Sequence, residues 1–141
     1  MRPTTEIDVR AHYDEIVRIV ERYALPMEAI EIVPSIQGWC HERGLSEDDR
    51  FRIARIFRNI ETGRYVILFA ERMSHAMVGA VISALEERGF ESEVNLLSNA
   101  RAVVRHLTLH EIAHGLDKSR SEYECDRWAF DQLGAAAQGV R

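Results

Sequence analysis

The sequence predicts an α+β domain, because its helical and strand-like segments fall in separate parts of the chain. A helical pattern begins it, short runs rich in Ile, Val, Phe and Tyr occupy the middle, and three helical patterns fill the second half. The length of 141 residues and the 46% share of hydrophobic residues suit one domain over residues 1–141 with a single modest core.

The first half is predicted to form one helix and a small sheet. Residues 6–23 carry apolar side chains at helical spacing. Residues 29–33, 51–57 and 65–69 are short apolar runs typical of strands, and the turn-forming residues between the last two predict a β-hairpin. We therefore expect a short hairpin or a three-stranded sheet. The alternative for residues 51–57 is an amphipathic helix that begins after Ser46.

Three helices are predicted for the second half. Residues 74–87, 95–116 and 122–133 each place apolar side chains along one face, and Gly89 is a stop signal after the first of them. Ser121 precedes the third helix, and its hydroxyl can accept a hydrogen bond from an exposed amide there.

Composition argues against several classes of partner. The formal net charge of -5 lacks the basic excess of a nucleic-acid-binding protein. No segment approaches the run of about 18 apolar residues that spans a bilayer, so no membrane partner is expected. The first residues lack the apolar segment of an export signal. We therefore expect a cytoplasmic protein in which Cys40 and Cys125 are reduced thiols.

The strongest functional signal is an HExxH motif formed by His110, Glu111 and His114. Residues four apart share one face of a helix, so both imidazoles can bind one metal ion, and neutral imidazole suits Zn²⁺. Glu111 lies beside such an ion, where it can take a proton from an activated water and pass it to a leaving amine. The flanking residues are apolar, and burying these polar side chains is costly unless a metal partners them. The motif therefore predicts a zinc site.

A catalytic zinc ion needs a third protein ligand and one open position. The next helix offers Glu122 and Asp126 on one face, so that one carboxylate can bind the metal while the other holds the far nitrogen of a ligand histidine. Asp117 and Glu124 are the other nearby carboxylates, and spacing alone leaves the choice open. The same donors also suit Mn²⁺, Fe²⁺ or Co²⁺.

The motif together with the segment Glu122-Tyr123-Glu124-Cys125-Asp126 resembles the gluzincin pattern, in which HExxH precedes a helix bearing ExxAD. The helix–hairpin–helix layout before it resembles the minimal ImmA/IrrE-type metallopeptidase domain. The Glu-Cys-Asp-x-Trp-Ala run is similar to that of Lit-type phage-exclusion peptidases.

This resemblance implies a small zincin-like fold with Zn²⁺ as cofactor. It implies that Glu122 is the third ligand, that Asp126 supports a ligand histidine and that Glu111 is the general base. Two departures stand out. Cys125 occupies the position where alanine is usual, and only seven residues separate His114 from Glu122.

Other side chains near the motif have two interpretations each. His106, one turn before the motif, and Tyr123 are candidates for stabilising an oxyanion. The alternative for His106 is a buried, hydrogen-bonded histidine. Cys125 either packs as a small buried residue or coordinates the metal.

A substrate-binding strand is expected at residues 65–69. By similarity to zincins that bear a hairpin, this segment is predicted to be an edge strand that pairs with an extended peptide. Arginines cluster around it and either contact an acidic substrate or form a solvated face; they are Arg52, Arg55, Arg58 and Arg64.

These features predict a zinc-dependent metallopeptidase that hydrolyses a peptide bond in a specific protein, and the resemblance suggests a regulator or host factor. A protein or peptide is the expected partner, whereas the oligomeric state is left open. The alternative is a non-proteolytic metal-binding module that serves regulation, phage defence or a toxin–antitoxin pair. Glu111 argues against it, because a purely structural metal site needs no base.

Overall fold

The computed structural model describes residues 6–137. Two 3₁₀ turns, Val9–His12 and Glu93–Leu96, accompany the regular elements. In chain order these elements are β1 (Ile7–Asp8), α1 (Tyr13–Val20), β2 (Met27–Val33), α2 (Ile36–Glu42), β3 (Ala54–Arg58), β4 (Tyr65–Ala70), β5 (Arg72–Met73), α3 (His75–Glu87), α4 (Ala100–Leu116) and α5 (Glu122–Ala137).

The α+β class is confirmed, but the first helix is shorter than predicted. Residues 6–23 do not form one helix, because Ile7 pairs with Met73 in a two-stranded antiparallel ladder before the helical turns begin. Both side chains are buried, so tertiary packing overrides the helical spacing of this segment. Helix α1 then spans only Tyr13–Val20.

The main sheet has the strand order β2-β4-β3. Strands β3 and β4 pair antiparallel, which confirms the predicted hairpin and removes the helical alternative after Ser46. Strand β2 lies parallel to β4 on its other side. The prediction of residues 65–69 as an edge strand is therefore wrong. Residues 66–70 are all buried, as expected of a central strand covered on both faces, and β2 and β3 are the edge strands instead.

Helix α4 lies at the centre of the molecule and packs against α1, β3 and α5. Asn99 caps it by accepting a hydrogen bond from Ala102 N at 2.9 Å, so the helix begins at Ala100 rather than at residue 95. Near its end, a Cβ on Gly115 would lie 2.8 Å from Ile56 Cδ1. The missing side chain thus lets the end of the motif helix approach the edge strand β3.

A capping box begins helix α5. Ser121 Oγ accepts a hydrogen bond from Glu124 N at 3.1 Å, and the Glu124 carboxylate accepts one from Ser121 N at 2.8 Å. The predicted capping by Ser121 is confirmed. Since only residues 117–121 connect the two helices, α5 turns back directly against α4. Within residues 6–137, no helix combines the length and hydropathy that crossing a membrane requires.

Candidate metal centre

The site consists of two facing rows of side chains on the antiparallel helices α4 and α5. His106, His110 and His114 recur every four residues on α4, so each lies one turn above the last. Glu122 and Asp126 follow the same spacing on α5. Because the helices run in opposite directions, the last histidine meets the first carboxylate and the middle histidine meets the second.

Both histidines of the motif direct their Nε2 atom towards the carboxylate of Glu122. Glu122 Oε2 lies 2.6 Å from His114 Nε2, and Glu122 Oε1 lies 3.4 Å from His110 Nε2. The side chain of Glu122 is about half exposed, whereas that of His110 is buried. Three donor groups that sequence analysis assigned to a metal therefore converge where α4 ends and α5 begins.

Asp126 contacts the ring nitrogen of His110 that does not face Glu122. Its Oδ1 lies 2.7 Å from His110 Nδ1 and 3.1 Å from His106 Nε2, and its Oδ2 accepts a hydrogen bond from Arg88 at 2.6 Å. Although burial opposes ionisation, the hydrogen bonds from both histidines hold the pKa of Asp126 well below its usual range. An ionised Asp126 accepts only, so His110 donates through Nδ1 and directs Nε2 towards Glu122.

The group attracts positive charge. Burial lowers the pKa of His110, but hydrogen bonds to Asp126 and Glu122 outweigh it and raise that pKa to about 10. Hydrogen bonds from the two histidines likewise lower the pKa of Glu122. In the metal-free protein a proton on His110 therefore balances these carboxylates, and a divalent cation can replace it.

Glu111 lies beside the convergence point and is buried. Burial raises the pKa of its carboxyl group, while the charges of His110 and His114 act in the opposite direction. Arg52, from the loop before β3, is another positive charge that acts on this carboxylate. A carboxyl group with a raised pKa is suited to accept and return a proton near neutral pH.

Sulfur also approaches the two imidazoles. One nitrogen of His110, one nitrogen of His114 and Cys125 Sγ all lie within 4.8 Å of one another. Cys125 is fully buried, and burial raises the pKa of its thiol to about 12. Both Cys40 and Cys125 are free thiols. A second compact group comprises His106, His110 and Asp126.

His106 takes the second of its two predicted roles, because it is a buried histidine that is hydrogen-bonded to Asp126. Burial lowers its pKa, so the ring is neutral and donates through Nε2. Its Nδ1 has no hydrogen-bond partner among the described residues. The ring packs on Phe130, with centroids 4.4 Å apart.

The remaining candidates have other partners. Asp117 accepts hydrogen bonds from Ser119 N and Oγ in the turn after α4, and Glu124 belongs to the capping box. Tyr123 stacks on Phe90, with ring centroids 5.0 Å apart and planes 22° apart. These contacts favour Glu122 over the other two carboxylates as a ligand.

A cleft extends to both sides of the motif. One part, about 430 Å³, is bounded by α3 and α4 and has mainly apolar walls that include Met77, Val81 and Leu107. The other part, about 1110 Å³, follows β3 and the end of α4. Glu111 and Glu122 line both parts. The candidate metal centre thus lies where the two parts of the cleft adjoin.

One arginine at the site, Arg88, did not stand out in the sequence as a site residue. Arg88 ends α3 and reaches Asp126, a long-range contact that no local pattern indicates. Arg52 and Arg55, which were predicted to contact an acidic substrate or to form a solvated face, both form ion pairs with the buried carboxylate of Glu47. This pairing leaves the loop before β3 anchored beside the cleft.

Comparisons with protein-family models, with curated proteins and with solved structures find no match to this chain. The gluzincin pattern therefore remains a resemblance carried by the motif residues. The structure itself supports a buried cluster of His, Cys and Asp side chains on helices that could hold a metal ion.

Proposed function

We propose that the protein is a metal-dependent peptidase, with zinc as the metal that its donor set suits best. The observation that carries the proposal is the convergence of His110 Nε2 and His114 Nε2 on the Glu122 carboxylate, with Glu111 buried beside them. Two imidazoles and one carboxylate are the three-ligand set of a catalytic zinc ion. The carboxylates of Asp126 and Glu122 favour a positive charge on His110, so this is a place where a cation is favoured.

A metal ion held there supplies Lewis acidity to a water molecule and to the carbonyl of the scissile bond. Glu111 accepts the proton of the attacking water and returns it to the departing amine. Asp126 fixes the ring of His110 through Nδ1, so the ligand does not need to reorient during the reaction. A structural metal site would have no use for a buried, unligated carboxyl group at this position.

The cleft indicates an extended peptide as substrate. Strand β3 has an unpaired edge within the described sheet, and its residues line the larger part of the cleft. A peptide that paired with this edge would cross the motif and place one side chain in the apolar part beside α3. We therefore propose substrates with an apolar side chain next to the scissile bond.

The substitution Glu111→Gln tests the proposal. It keeps the size of the side chain and removes the base, so we expect zinc content to stay near that of the unaltered protein while hydrolysis of a mixed peptide library falls at least about 1,000-fold. Glu124→Gln is the matched control, because Glu124 lies in the capping box and outside the cleft. Hydrolysis that survives in Glu111→Gln would contradict the mechanism.

A non-proteolytic metal-binding module is the second candidate function. The observation that favours it is the sulfur of Cys125 near the two imidazoles, since sulfur is common in structural zinc sites. Under this alternative the zinc-loaded protein cleaves no member of the library, and Glu111→Gln behaves like the unaltered protein.

A further inference from the structure

Cys125 faces the candidate metal centre from the protein interior. It lies three residues after Glu122 on α5 and is fully buried, whereas the carboxylate of Glu122 is about half exposed. The two side chains thus differ in exposure, because Glu122 is accessible to solvent and Cys125 is enclosed by the protein. The sulfur and one nitrogen of each imidazole are mutually within 4.8 Å, as donors around one ion must be.

The number and type of these donors distinguish two kinds of site. Three protein ligands and an open position are typical of catalytic zinc, whereas four protein ligands in a tetrahedron are typical of a closed site. His110, His114, Glu122 and Cys125 together supply four. A thiolate also changes which metals are preferred, because sulfur favours Zn²⁺ over hard cations such as Mn²⁺ and Mg²⁺.

We propose that Cys125 is a protein ligand of the metal, and that the centre therefore has a closed form in which sulfur occupies the position that water needs. This inference rests on the metal-binding half of the proposed function and adds a regulatory feature to it. In the closed form the peptide bond cannot be attacked, and substrate must compete with the sulfur. Cys125 thus limits hydrolysis while it strengthens metal retention.

X-ray absorption of the zinc-loaded full-length protein tests the proposal. We expect one sulfur neighbour at about 2.3 Å in addition to nitrogen and oxygen at about 2.0–2.1 Å. Cys125→Ala should lose the sulfur neighbour and retain zinc less tightly against a chelator, and Cys125→Ser is the near-isosteric second variant in case alanine leaves a destabilising cavity. Cys40→Ala is the matched control, because Cys40 is an equally buried thiol that packs in a separate apolar cluster with Ile36 and Leu68.

The outcomes separate this inference from the peptidase proposal. A sulfur neighbour that disappears in both Cys125 variants but persists in Cys40→Ala supports it. Zinc bound only by nitrogen and oxygen in the unaltered protein overturns it and leaves the peptidase proposal standing. Sulfur-bound zinc in the unaltered protein, with no hydrolysis even by zinc-loaded Cys125→Ala, supports the ligand role and overturns the peptidase proposal. Failure to bind zinc overturns both.

Discussion

At the scale of single residues, Asp126 connects more of the site than any metal-ligand candidate does. It joins the neutral ring of His106, the charged ring of His110 and the guanidinium of Arg88, which comes from a different helix. Both oxygens of its buried carboxylate thereby accept hydrogen bonds, as the burial of an ionised group requires. The orientation of His110 depends on this one side chain.

The substitution Asp126→Asn should therefore weaken zinc binding. An amide presents a donor where the carboxylate accepts from three partners, so His110 loses its fixed orientation. We expect zinc affinity, measured by competition with a chelator, to fall about 10- to 100-fold. Asp131→Asn is the matched control, because Asp131 is an exposed acid on the same helix. Equal affinities for the two variants would contradict the positioning role of Asp126.

At the scale of elements, the register between α4 and α5 determines the site. It is set at the turn, where the capping box starts α5 one residue before Glu122. Ser121→Ala should lower the free energy of unfolding by about 1 kcal/mol, because the amide of Glu124 loses its acceptor. Urea unfolding measures the change. Ser92→Ala is the control, since Ser92 precedes a 3₁₀ turn without a side-chain capping hydrogen bond. An unchanged midpoint for Ser121→Ala would show that the capping box contributes little.

Local sequence patterns predicted these elements well where apolar side chains recur at regular spacing along the segment. Helix α5 and the β3–β4 hairpin lie close to their predicted ranges, and α4 ends at its predicted residue although it begins later. The histidines meet carboxylates of the next helix as the spacing suggested. The pairing of Ile7 with Met73 and the central position of β4 were not predictable in this way. Both depend on contacts between distant segments, which side-chain periodicity does not encode. The contact between Arg88 and Asp126 was not predictable for the same reason.

At the scale of the whole molecule, the charges around the site make metal-free stability dependent on pH. The pKa of His110 is raised from 6.5 to about 10, so its contribution is fully present below pH 6.5 and is lost as the pH rises through about 10. The pKa of Asp126 is lowered from 3.8, so its contribution is present above that value and is lost as the pH falls further.

We therefore expect the metal-free protein to be less stable at pH 10 than at pH 6, as measured by urea unfolding in the presence of a chelator. In Asp126→Asn this alkaline loss should shrink, because His110 loses one of its two charged hydrogen-bond partners and retains only Glu122. A parallel pH dependence for the two proteins would assign the loss to other groups. Saturating zinc should reduce the same dependence, since the ion replaces the proton on His110.

The short connection of residues 117–121 has a mechanical consequence. Every donor proposed for the ion lies within about two helical turns of this connection, so the ion would link the end of one helix to the start of the next. The sheet and the N-terminal helix supply none of the proposed donors. Stripping the ion should therefore loosen the first turn of α5 before it disturbs the rest, and hydrogen exchange would register the fraying there first.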